Sequence, residues 1–120
     1  MPFKLIVEVP DKLVREKKEL MQKYKTLFET YNIEIGLFEF IGEGEDYNYL
    51  QDLRPIYIKA ESSYFVSQSD ASLSTLRLIT DTIGTSLIAT SVMDKTTYLE
   101  LEKKGIFIVQ GKITEVLKLM

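Results

Sequence analysis

The sequence predicts a single α+β domain, a ferredoxin-like βαββαβ sandwich extended by a C-terminal αβα unit. Three observations predict it. Stretches of strand and helix period follow one another in the order β-α-β-β-α-β-α-β-α. Only a turn-rich acidic stretch separates the second strand from the third, which reads as a long hairpin connection. The 120 residues, 45% hydrophobic and 28% charged, have the size and balance of one domain over residues 1–120. A three-layer α/β sheet is the alternative, because the final β-α-β reads as a parallel crossover.

Phe3 to Val9 alternate, with Phe3, Leu5, Val7 and Val9 on one face, and Pro10 stops the strand. Asp11 reads as the N-cap of a long helix, in which Leu13, Leu20, Tyr24, Leu27 and Tyr31 form an apolar stripe. A second strand runs from about Ile33 to Ile41. It places Ile33, Ile35, Leu37 and Ile41 on one face and Phe38 and Phe40 on the other. The acidic stretch Gly42–Asp52 follows, and in the ferredoxin-like reading it leaves the sheet at the edge opposite to the later loops. A third strand, Pro55 to about Ala60, precedes the polar segment Glu61–Asp70. A helix from about Asp70 to Ile83 ends at Gly84. Strand four (Ser86–Val92), a helix from about Lys95 to Lys104, strand five (Ile106–Gln110) and a helix from Lys112 complete the chain. Strands three and four are joined through a helix and should be parallel, so Glu61–Asp70 and Asp94–Thr97 share one edge.

The composition excludes much chemistry. With no His and no Cys, there is no imidazole acid/base catalysis, no thiol nucleophile, no Ser-His-Asp relay and no Cys/His zinc site. Lys and Glu dominate the charges while Asn, Gln and Cys are scarce, a balance matching hyperthermophile proteins. No apolar run approaches the roughly 20 residues a membrane span needs. A charge near the N-terminus interrupts any signal-peptide core, so the expected location is the cytoplasm. Residues 11–25 are net basic, but their positive side chains are interleaved with acids, and nucleic-acid binding is not expected.

Three constellations stand out. The apolar second face of strand two, with Phe38, Phe40 and Tyr57, predicts a homo-oligomer interface. Ser62, Ser63, Ser67 and Ser69, with Arg77, suit a small anionic ligand near a helix start. Glu61, Asp70 and Asp94 at one sheet edge suit a Mg²⁺ ion. No phosphate-binding glycine loop occurs. The sequence therefore reads first as a non-enzymatic binding or regulatory module without a cofactor, self-associating and recognising a protein or a small anionic ligand. The alternative is a Mg²⁺-dependent phosphodiesterase or nuclease using the three edge carboxylates.

Overall fold

The computed structural model describes residues 5–42 and 47–111. The expected helix from Lys112 and the acids Glu43, Glu45 and Asp46 lie outside the described residues. Eleven elements follow in order among them: β1 (Ile6–Pro10), α1 (Asp11–Glu16), α2 (Lys18–Thr30), β2 (Glu34–Phe38), α3 (Tyr49–Leu53), β3 (Tyr57–Glu61), α4 (Ser62–Ser67), α5 (Asp70–Ile83), β4 (Ser86–Val92), α6 (Lys95–Lys103) and β5 (Ile108–Gly111).

The five strands form one sheet in the order β1-β2-β3-β4-β5, and every neighbouring pair is parallel. This corrects the ferredoxin-like expectation, which needs β2 and β3 antiparallel; Gly36 pairs with Tyr57 and Leu37 with Ile58 in parallel register. The physical reason lies in the acidic stretch. It is not a hairpin loop, because it carries α3, whose Tyr49, Leu50 and Leu53 are buried and bring the chain back across the sheet. The α/β alternative is the one that fits. A second correction follows from the first: the stretch after β2 leaves at the same edge as the segments after β3 and β4.

Consecutive parallel strands joined by right-handed crossovers bring each connection onto the same side of the sheet. Burial agrees with that winding. Val9, Leu37, Ile58 and Ala89, from four different strands, join Met21, Leu73, Leu76 and Leu101 from the helices in one core. The alternate residues Ile6, Glu8, Phe38, Tyr57, Lys59 and Ile88 stand on the other face, half-buried or exposed.

Two local expectations are also corrected. Pro10, not Asp11, occupies the N-cap position of α1, and Asp11 is the first helical residue, completely buried. The helix breaks at Lys17, and the side it turns to the core carries Val14, Met21 and Phe28. The stripe Leu13, Leu20, Tyr24, Leu27 and Tyr31 therefore faces solvent. The two sets differ by one position at the same seven-residue spacing, so periodicity alone does not choose between them.

Candidate functional site at the carboxyl edge

A parallel sheet collects the carboxyl ends of its strands at one edge, the usual place for a site in α/β folds. Here that edge holds a cavity of about 300 Å³ lined by Glu8, Phe38, Glu39, Lys59, Glu61 and Thr90. A second cavity of about 540 Å³, lined by Glu39, Phe40, Ile41, Glu61, Ser63, Tyr64 and Ser67, shares Glu39 and Glu61 with the first. The two lobes thus meet at a pair of carboxylates.

Strand alternation builds the first lobe. In β3, Ile58 and Ala60 go to the core, so Tyr57, Lys59 and Glu61 stand together on the uncovered face. Glu8 projects from β1 by the same rule. The Lys59 Nζ lies 2.8 Å from Glu8 Oε1 and 5.1 Å from the centre of the Tyr57 ring. The Tyr57 hydroxyl donates to the same Glu8 carboxylate. Burial first, and Glu8 second, push the Tyr57 hydroxyl up to about 12, so it stays a donor at neutral pH. Thr90 Oγ1 donates to Ala60 O at 3.3 Å, holding β4 against β3 at this level.

Space for the Tyr57 ring comes from Gly36, its neighbour in β2. A Cβ at position 36 would collide with Cζ of that ring. Gly36→Ala is expected to cost about 1–3 kcal/mol by overpacking, read as a lower urea midpoint, and to detach Tyr57 from Glu8.

Glu8 is held below its ordinary 4.5, first by the hydrogen bond from Lys59 and then by that from Tyr57. A carboxyl with a depressed folded value stabilises the fold above its unfolded value, and that contribution disappears as pH falls through the folded one. Denaturation midpoints taken from about pH 6 to about pH 3 should therefore fall more steeply for the natural chain than for Glu8→Gln. Parallel curves for the two proteins would remove the network from the stability of the fold.

The residues singled out from sequence are dispersed. Ser63 and Ser67 line the second lobe, with the Ser67 hydroxyl donating to Tyr64 O at 2.9 Å. Ser62 is buried and donates to Ser91 O at 3.3 Å. Ser69 caps α5, accepting from Ser72 N at 3.1 Å. Arg77 belongs elsewhere: with Asp70, Ser74, Lys103 and Lys104 it lines a separate cavity between α5 and α6. Of the three carboxylates, Glu61 stands in the cleft. Asp94 caps α6, its Oδ1 accepting from Thr97 N at 2.7 Å, which holds its carboxyl below the usual range. Asp70, almost wholly exposed, lies 3.8 Å from Lys104 Nζ. Among the described residues no group of three or more Asp or Glu is gathered tightly enough to hold a metal ion alone.

The aromatic trio divides as well. Phe38 and Tyr57 stand on the uncovered face, but Phe40 is buried. Glu39 takes a left-handed conformation (φ 53°), which breaks the alternation and turns Phe40 into the core against Tyr47 and Tyr64, with ring centres 6.1 and 5.5 Å away. Glu8 and Lys59, the centre of the site, were missed from sequence. Their signal is a lysine in a central strand of a parallel sheet, a place where near-continuous apolar residues are the rule. It becomes readable only once strand order and direction are known.

No family model and no curated protein matches the chain. Solved structures do. The Vibrio cholerae LapD S helix-GGDEF-EAL protein bound to c-di-GMP superposes with a TM-score of 0.77 at 18% identity, over 91% of this chain and 28% of that one. The Klebsiella pneumoniae BlrP1 manganese/c-di-GMP complex gives 0.75 at 17% identity, over 90% and 29%. The PaMucR phosphodiesterase in its c-di-GMP complex gives 0.73 at 18% identity, over 97% and 56%.

The fold is shared with EAL domains. The chain spans only 45–51% of the matched chains that comprise an EAL domain. These neighbours overturn the expectation of a non-enzymatic interaction module, since they include a phosphodiesterase on the same parallel sheet. No helix of the described residues is long and apolar enough to cross a membrane.

Proposed function

We propose that the chain supplies the carboxyl-edge site of a phosphodiesterase whose substrate is a cyclic dinucleotide. The observation that carries this reading is Lys59, a cation in the middle strand, held by Glu8 and Tyr57 at the floor of a cleft rimmed by Glu39 and Glu61. A phosphodiester brings one negative charge per linkage, and Lys59 offers it a charge-assisted hydrogen bond. The second lobe, with Tyr64 and Ile41, gives an aromatic and an aliphatic surface to an adjoining base.

The donor set fits a Mg²⁺ or Mn²⁺ ion taken up together with the substrate. Mg²⁺ is commonly held by one or two carboxylates plus phosphate and water, and Glu39, at the junction of the lobes, is the carboxylate that would hold it. Such an ion, when bound, lowers the pKa of a coordinated water and neutralises phosphoryl charge. The chain's own residues do the rest. Lys59 orients the phosphodiester, and Glu61, exposed to solvent, accepts the proton of the attacking water. As the new oxygen–phosphorus bond forms, the bond to the 3′-oxygen breaks and that oxygen takes up a proton, opening the ring to a linear dinucleotide. The same reading keeps the protein cytoplasmic and self-associating.

The test is incubation of the chain with c-di-GMP and Mg²⁺ or Mn²⁺, followed by chromatography of the nucleotides. Linearisation that requires the ion and falls at least about a hundredfold in Glu61→Gln, the lower end of the usual range for a general base, is expected. Intact c-di-GMP after prolonged incubation, whether or not it binds, would overturn the reading.

A further inference from the structure

The sheet is an incomplete structure. Among the described residues its order β1-β2-β3-β4-β5 leaves β1 and β5 as bare edges, and its crossovers cover one face only. Continued in the same sense, parallel strands each followed by an outer helix close into a barrel whose inner face is the uncovered one. The edges carry exposed apolar side chains: Leu5 and Ile6 at β1 (60% and 38% exposed), Phe107 and Ile108 at β5 (71% and 47%). Natural edge strands are protected by charge, proline or brevity; β1 carries Glu8 and Pro10 and β5 is four residues long, but Ile106 to Gln110 contains neither charge nor proline.

The geometry points to a second copy of this chain as the occupant, closing a ten-stranded parallel barrel. A two-fold axis along the strand direction sets β5 of one copy beside β1 of the other and repeats that seam on the opposite side. Both seams are then parallel and identical, as an isologous pair requires. Like edges cannot do this: β1 beside β1, or β5 beside β5, would run antiparallel under a two-fold axis. The size of the matched domains agrees. The chain accounts for 45–51% of the matched chains that comprise an EAL domain, leaving room for one more body of its own size. Closure would bring the Glu8–Lys59 pairs of the two copies to one barrel mouth, facing each other across the same opening. This inference goes beyond the proposed reaction and does not depend on it.

The chain has no cysteine, so introduced thiols are the sole reactive ones. The full chain carrying both Ile6→Cys and Ile108→Cys is treated with a short bis-maleimide, beside each single variant. Closure predicts a product of twice the monomer mass from the double variant, no ladder of larger products, and at least tenfold less dimer from either single variant. Equal cross-linking of a single variant means like edges meet, and a ladder means an open array; either result overturns the closed pair. A chain that stays monomeric by sedimentation, its edges covered by its own remaining residues or by an adjoining segment, overturns it too. If the double variant does not fold, Phe107→Glu replaces it. A shift from dimer to monomer, with an unchanged circular dichroism spectrum, supports the β5 seam, and an unshifted dimer removes it.

Discussion

Replacing Asp11 by Ala is expected to cost about 3–5 kcal/mol of folding stability, the range for breaking a buried ion pair from one side. Asp11 is completely buried where β1 becomes α1. One carboxylate oxygen accepts from Arg15 Nε at 2.9 Å, and the other accepts from the Tyr49 hydroxyl. The Arg15 guanidinium also stands 4.7 Å from the centre of the Tyr49 ring. Three groups from α1 and α3 thus satisfy one another, tying the acidic stretch to the first crossover. Burial, ahead of Asp11, pushes the Tyr49 hydroxyl above its ordinary value, so it remains a donor throughout the physiological range. Removing the carboxylate strands a largely buried cation and a buried hydroxyl together. Tyr49→Phe removes one donor and should cost less, about 1–3 kcal/mol. Urea titrations of the two variants separate the cases. A loss under about 1 kcal/mol for Asp11→Ala would mean the triad relaxes into water, as exposed pairs do.

The second large effect is on ligand affinity. Lys59→Ala should weaken binding of a cyclic dinucleotide by roughly 10- to 150-fold, the loss of one charge-assisted hydrogen bond worth about 1.5–3 kcal/mol. The same change should cost little in stability, because Glu8 is more than a third exposed and recovers water when its partner leaves. Calorimetric titration and denaturation on the same sample distinguish a ligand contact from a structural one. Equal affinity in Lys59→Ala, with the fold intact, would take Lys59 out of the site.

Much of the fold was legible in the chain. The alternation of Val7 and Val9, the Asp70–Ile83 helix closed by Gly84, and the parallel β3–β4 pair all follow from spacing and turn chemistry, and the structure has them. The failure sits between β2 and β3. Acidic and turn-forming residues dominate that stretch and hide the apolar set Tyr47, Tyr49, Leu50 and Leu53, which packs as a crossover. Taking it for a hairpin reversed one strand and changed the fold class. The site suffered from the same error. Glu61 was found because it follows a strand, whereas Glu8 and Lys59 lie inside strands, where charge reads as a solvated face until both neighbours are known. Phe40 was misplaced by one residue, Glu39, whose left-handed backbone no periodic rule anticipates.

The strand order also bears on how the chain reaches its native state. Each strand pairs with the next one along the sequence, and paired residues are separated by 19 residues at the nearest (Val92 with Gly111) and 29 at the farthest (Tyr57 with Ser86). Closure entropy grows only as the logarithm of loop length, so these four pairings differ by a few tenths of a kcal/mol. None requires distant ends of the chain to meet first. Acquisition of structure can therefore begin at any strand–helix–strand unit and spread by addition of a neighbour, and a terminal unit can be lost without reordering those that remain.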